Sequence, residues 1–194
     1  MSRVIVLHAP SPGHGTPEWE RGLLQRLPYA RRLELESRDP KSRRASLGGT
    51  VLLFEAAGRL GFGDVEAGKL RFPEDAKPRV AGGPFFSISH TSEHVACAAS
   101  CECDIGLDHE DYAGEEAPAR LRRWTAVEAT LKAAGAGLRR MRAVEVDVEL
   151  RLSRLDDAKY HLVPLDLGSG IVACLAASSR PDTIEIQRLA GVAP

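Results

Sequence analysis

Phe85-Phe86-Ser87-Ile88-Ser89-His90-Thr91, Ile105-Gly106-Leu107-Asp108-His109-Glu110 and Trp124-Thr125-Ala126-Val127-Glu128-Ala129-Thr130-Leu131-Lys132 are three pieces of one stretch, residues 85–132, around which the chain is organised. The first piece ends an apolar run in a hydroxyl and an imidazole. In the second, Asp108 and Glu110 stand at i and i+2, so on a strand both carboxylates point to one face and His109 points away from them. In the third, Glu128 and Lys132 stand at i and i+4, one above the other on a helix. Carboxylates gathered round a divalent cation, beside a Lys and a His able to meet phosphate oxygens, describe a site for a metal-bound pyrophosphate.

Outward from that stretch, 194 residues are enough for one ordinary domain or two small ones with a real core. The 43% hydrophobic and 27% charged fractions are those of a globular chain. A formal charge of -1 argues against a nucleic-acid-binding protein that relies on overall basicity. Local basic patches at Arg31-Arg32 and at residues 41–44 remain able to bind an anion. Cys97, Cys101, Cys103 and Cys174 match no paired zinc spacing and read as buried fillers in small-residue stretches. The apolar run at residues 4–7 is too short for a signal-peptide core or a membrane span, so a cytoplasmic protein is expected. No apolar exposed helix announces a dimer, and a monomer is expected.

Along the chain, residues 4–7 read as a buried strand, and Thr16-Pro17 as the cap and first turn of a helix over 16–27. Weak alternation suggests a strand over 29–36. Asp39-Pro40 opens a helix over 41–60 whose apolar face is Leu47, Val51, Phe54 and Ala57 or Gly58, stopped by Gly61-Phe62-Gly63. Residues 66–84, rich in Gly and Pro, read as a loop with short extended pieces. Strands follow at 85–88, 95–100 and 105–108, and their short connections predict adjacent antiparallel neighbours. A helix starting at Ala119 or Thr125 runs to Ala134 and is closed by Gly135-Ala136-Gly137. Strict alternation predicts one strand over 144–152, with two more at 160–165 and 171–177, and a frayed end over 189–194. Helix-then-strands recurs, 41–100 and then 119–177. The expected class is therefore α+β with mainly antiparallel sheets, as one domain or as two similar halves, 1–100 and 101–194.

Taken together, the three pieces resemble the 4′-phosphopantetheinyl transferase superfamily, specifically its Sfp-type branch. That family carries a Phe-Asn-Ile-Ser-His-Ser-like strand, then Gly-x-Asp-x-Glu, then Trp/Phe-Ser/Thr-x-Lys-Glu-Ala-x-x-Lys. Here they stand as Phe86 to Thr91, Gly106 to Glu110 and Trp124 to Lys132. Arg43-Arg44 and Gly68-Lys69 also fall where the family has basic residues. The resemblance implies two similar α+β halves in a pseudo-twofold arrangement, with coenzyme A in the cleft between them. It implies an enzyme that moves the 4′-phosphopantetheine arm of coenzyme A onto a Ser of an acyl or peptidyl carrier protein, of fatty-acid, polyketide or peptide type. Mg2+ would be held by Asp108, Glu110 and Glu128, with Glu128 as the base and Lys132 on the departing phosphate. Ser89, His90 and Lys132 would hold coenzyme A phosphates, and Arg44 with Lys69 the 3′-phosphate and adenine end. Two departures stand out: Val127 replaces the family's Lys, and only 20 positions separate Asp108 from Glu128, fewer than the family has.

The same residues also read more blandly. Thr125-x-x-Glu128 is a capping box, Glu128 with Lys132 an ordinary helix pair, Asp108 and Glu110 turn residues, and His90 a core histidine. The alternative function is a catalytically weak or inactive relative that binds coenzyme A or a carrier protein as an interaction subunit. An unrelated Mg2+-dependent nucleotide-binding enzyme shares the metal logic but leaves the Ser-His strand unexplained.

Overall fold

The computed structural model describes residues 2–13, 16–63, 65–73, 76–114 and 118–192. Helix signals in the sequence translate directly into structure. Thr16 accepts from the Trp19 N–H at 3.2 Å to cap α1 (Pro17–Arg26), and Asp39 accepts from the Lys41 and Ser42 N–H groups at 3.0 Å to cap α3 (Pro40–Arg59). Gly135, at φ 67°, ends α4 (Ala119–Ala134) in the left-handed conformation, and the Ala136 N–H bonds the Leu131 carbonyl at 2.8 Å.

The first sheet has the order β11-β1-β5-β4, built from β1 (Arg3–Pro10), β4 (Phe85–His90), β5 (His94–Ser100) and β11 (Thr183–Arg188). Its only parallel pair is β1 with β11, so the C-terminal strand returns to the N-terminal sheet. The second sheet, order β6-β10-β9-β8-β7, is wholly antiparallel: β6 (Ile105–Asp111), β7 (Val144–Asp147), β8 (Leu152–Leu155), β9 (Ala158–Leu165) and β10 (Ile171–Ala177). A two-stranded ribbon, β2 (Leu70–Arg71) with β3 (Arg79–Val80), completes the strands within the loop 66–84. The architecture is thus mixed α+β with mainly antiparallel sheets, and no helix among the described residues is long and apolar enough to cross a membrane.

Three apolar layers hold these pieces. One face of the first sheet packs Ile5, Leu7 and Cys97 against Leu47, Leu52 and Leu53 of α3. Its other face packs Val4, Val6, Ala96 and Ala98 against Ile105, Leu107 and Leu175 of the second sheet. The outer face of the second sheet packs Tyr160, Leu162 and Ala176 against Ala126, Ala129 and Ala133 of α4. Each fully buried Leu or Ile contributes about 1.5–3 kcal/mol of apolar burial. Cys97, Cys103 and Cys174 are buried free thiols, whereas Cys101 is exposed, which corrects the filler reading at that one position.

Five further expectations are corrected. Residues 29–36 are not a strand but α2 (Tyr29–Glu36), in which Glu34 meets Arg31 at 2.5 Å and Arg38 at 2.6 Å, pairs at i,i+3 and i,i+4 that extended backbone cannot make. The alternation over 144–152 spans a hairpin rather than one strand. Asp147 accepts from the Leu150 N–H at 2.9 Å and Arg151 takes φ 51°, so the chain reverses between β7 and β8. Thr125 is inside α4, donating to the Arg122 carbonyl, so it caps nothing. The tail is anchored through Val192, which packs in the first core, and residues 193–194 lie outside the described residues.

The last correction positions the site. β6 is not a backbone-paired neighbour of β4 or β5; it is the edge of the second sheet. Its N–H groups are met across the seam by side chains of β4: Ser87 accepts from the Leu107 N–H at 2.9 Å and Ser89 from the His109 N–H at 3.3 Å. Two hydroxyls thus do for the β6 edge what a partner strand would do.

Candidate functional site

α4 crosses directly above β6 because residue 106 is glycine. A Cβ there would fall 1.9 Å from the Ala129 carbonyl oxygen and 2.4 Å from the Ala133 nitrogen. This close approach brings Glu128 and Lys132 of α4 down onto Asp108 and Glu110 of β6. Asp108, Glu110 and Glu128 each offer a carboxylate oxygen within 4.8 Å of the others, and among the described residues no other such group of metal-ligating side chains occurs.

The polar connections are unequal. Lys132 Nζ lies 2.6 Å from Asp108 Oδ1, 3.3 Å from Ser89 Oγ and 3.9 Å from Glu128. Ser89 donates to Asp108 Oδ1 at 3.0 Å while accepting from Lys132 and from the His109 N–H, so its hydroxyl is fully used. The indole N–H of Trp124 donates to Glu110 at 3.2 Å. Asp108 Oδ2, by contrast, is buried without a partner. His109 lies on the opposite face of β6, buried, with neither ring nitrogen hydrogen-bonded.

Electrostatics express the same imbalance. Burial raises the pKa of Asp108, against the pull of Lys132 and Ser89. Burial and then the charge of Asp108 raise Glu110, and burial followed by Asp108 raises Glu128. Three carboxylates share one ammonium, so their ionised forms repel one another. An orphaned buried oxygen on Asp108, flanked by two further carboxylates, fits a hard divalent cation, whose charge would relieve that repulsion.

The acidic cluster opens on a concavity of about 570 Å3 that also includes Ser89, His90 and Asp111. A second cleft of about 500 Å3 meets it at Ile88, His90 and Lys132 and runs to Arg31, Arg38 and Phe72. In that cleft Arg38 donates to Ser46 at 2.9 Å, and Ser46 lies 3.5 Å from His90 Nε2. Arg31 stacks 4.6 Å from the centre of the Phe72 ring, with its Nε buried and unpartnered. Protein bulk, then Arg38, Lys132 and Arg31, hold the His90 imidazole below its ordinary pKa. The joined clefts carry carboxylates at one end and guanidinium groups at the other.

Six residues singled out in the sequence therefore meet: Ser89, His90, Asp108, Glu110, Glu128 and Lys132. Two do not. Arg44 turns to Glu20 and to the Pro12 carbonyl, and Lys69 is exposed beside Glu66; neither lines the clefts. Besides Lys132, the cations on the cleft wall are Arg31, Arg38 and Lys77. Of these only Arg31 carried a signal, in the basic pair Arg31-Arg32; Lys77 is buried, its ammonium on the Ile105 carbonyl at 2.5 Å and Asp104 at 3.3 Å. Comparison with protein-family models and with curated proteins gave no match for this chain.

Proposed function

We propose that the protein is a Mg2+-dependent 4′-phosphopantetheinyl transferase, moving the phosphopantetheine arm of coenzyme A onto a Ser of a carrier protein. The observation that carries this reading is the unpartnered Asp108 Oδ2 within a three-carboxylate cluster, at the mouth of a cleft whose far end carries Arg31 and Arg38, two guanidinium groups sharing the one carboxylate of Glu34. A long ligand with phosphates at its middle and one end suits that distribution of charge. In this proposal the two helix-on-sheet units are the two halves of the enzyme, with coenzyme A between them.

Asp108, Glu110 and Glu128 would hold Mg2+, which when bound neutralises pyrophosphate charge and polarises the phosphorus under attack. Glu128, whose carboxyl is held above the ordinary range, takes the proton from the carrier Ser hydroxyl. The Ser oxygen bonds to the β-phosphorus as the bond to adenosine 3′,5′-bisphosphate breaks. Lys132 stabilises the departing phosphate oxygen and His90 binds the pyrophosphate. Ser89, its hydroxyl already committed, fixes Asp108 rather than grasping phosphate. Arg31 and Arg38 take the 3′-phosphate end in place of Arg44 and Lys69.

Intact-mass analysis of apo carrier proteins incubated with the protein, coenzyme A and Mg2+ tests this. The expected result is a gain of one phosphopantetheine arm, lost with EDTA and in Glu128→Ala. Binding of coenzyme A without transfer to any carrier would replace the enzyme with a non-catalytic binding subunit.

A further inference from the structure

On the flank of α4 away from the acidic cluster, the helix and the second sheet part to leave a groove of about 160 Å3. Its walls are Arg122 and Ala126 of α4, Leu162 and Pro164 of β9, and Val172 and Cys174 of β10. Val148 and Arg151, from the β7–β8 turn, close one side. Arg122 and Arg151 are the charged residues of the lining, and among the described residues no carboxylate lines it. The apolar surface continues outside: Val148 is 58% exposed and Leu150 69%. Large aliphatic side chains left in water on a hairpin tip beside an apolar groove mark a contact surface.

Register ties this groove to the acidic cluster. Val172 and Cys174 of β10 are the direct cross-strand partners of Glu110 and Asp108 on β6, on the same face of the sheet. Trp124, Glu128 and Lys132 follow one row of α4, while Arg122 and Ala126 follow another about a third of a turn or more round the helix. The first turns of α4 are therefore a low wall with the cluster on one flank and the groove on the other. A protein that presents a hydroxyl to Glu128 from above the first turns of α4 would lie across that wall.

We propose that this groove is the anchor site for the acceptor protein, receiving one apolar side chain from a surface that carries carboxylates for Arg122 and Arg151. This inference rests on the transferase reading. The groove is too small for a nucleotide, which the cleft of about 500 Å3 would take. A second copy of the chain fits poorly, because an isologous contact tends to set these arginines against their own copies. An acidic partner with an apolar anchor satisfies both the lining and the rim.

The test measures the Kd of fluorescently labelled apo carrier proteins of differing net charge, and transfer from coenzyme A in parallel, for the wild type, Val148→Asp and Arg122→Glu. Both substituted side chains are exposed, and circular dichroism checks the fold. Expected are a rise in Kd and KM of about tenfold per variant with kcat retained, and affinity that rises with the carrier's negative charge. Wild-type transfer with both variants binding like the wild type overturns the groove and leaves the transferase intact. Binding that both variants weaken, without transfer, keeps the groove and removes the transferase. Neither binding nor transfer by the wild type removes both, and concentration-dependent dimerisation abolished by Val148→Asp would assign the groove to a second copy instead.

Discussion

The two helix-on-sheet units solve one packing problem in opposite ways. In the first, the glycine is on the helix: a Cβ at Gly49 of α3 would meet the Ile88 Cγ2 methyl of β4 at 2.4 Å. In the second, the glycine is on the strand, where Gly106 of β6 lies under the backbone of α4. A helix glycine lets a side chain of the sheet rise towards the helix axis. A strand glycine lets the helix backbone itself descend. Only the second arrangement lowers helix side chains such as Glu128 and Lys132 onto strand carboxylates, and the acidic cluster is found there. The strands that face each other across the seam differ in the same sense. β4 contributes the hydroxyls of Ser87 and Ser89, which accept from the Leu107 and His109 N–H groups of β6, and Ser89 in turn donates to Asp108, so neutral hydroxyls of one unit meet the main chain and one carboxylate of the other.

That comparison can be broken most directly at the glycines. Gly106→Ala should cost about 4 kcal/mol or more, since the colliding atoms are main-chain, and thermal unfolding should show a protein that is barely or not folded. Gly49→Ala meets a side-chain methyl that can rotate away, so a loss of about 1–3 kcal/mol is expected. Equal losses at the two positions would erase the distinction.

Next in size is the charge at the cluster. On the proposed transferase reading, Glu128→Gln should lower transfer about a thousandfold, and the stabilisation by Mg2+ expected in thermal melts should fall with it. The pH dependence carries a definite sign. Asp108, Glu110 and Glu128 have folded-state pKa values raised above their unfolded ones, so the folded state binds more protons. Their contribution to stability falls as pH rises from the ordinary carboxylate range through the raised values. The increase in Tm given by Mg2+ should therefore be larger at pH 7 than at pH 5, and this difference should shrink in Glu128→Gln. An increase in Tm independent of pH would remove the repulsion argument.

A smaller effect is expected at the seam. Ser89→Ala leaves the His109 N–H without its acceptor and Asp108 with Lys132 as its remaining donor, and should cost about 1–3 kcal/mol by denaturant unfolding. The smallest difference separates the cleft cations. If coenzyme A lies in the cleft as proposed, Arg38→Ala should weaken its binding about tenfold by calorimetry, whereas Lys69→Ala should leave it unchanged. The reverse order would return the 3′-phosphate to the position the motif spacing suggested.

How legible each feature was depended on how local it is. Asp39-Pro40, Thr16 and Gly135 announced helix ends because caps act within three or four residues. The joint facing of Asp108 and Glu110 followed from strand period alone, and the meeting of Glu128 and Lys132 from helix period alone. The 144–152 alternation misled because a tight turn that keeps parity leaves a period-two pattern unbroken. α2 misled because Leu33 and Leu35 alternate, although one is exposed and the other buried, and Ala, Arg, Leu and Glu favour a helix. Arg44 was assigned to a ligand on sequence position, but Glu20, 24 residues away in the chain, holds it.

By itself, then, the sequence determined where helices start and stop, which carboxylates share a face, and that Ser89, His90, Asp108, Glu110, Glu128 and Lys132 belong together. Tertiary structure alone decided that β6 leaves the first sheet, that Ser87 and Ser89 rather than a strand meet its edge, and that Arg31 and Arg38 rather than Arg44 and Lys69 line the cleft. The physical reason is range. Periodicity and capping are set by neighbours along the chain, whereas sheet membership and ion pairing are settled by competition among partners far apart in sequence, which no local pattern records.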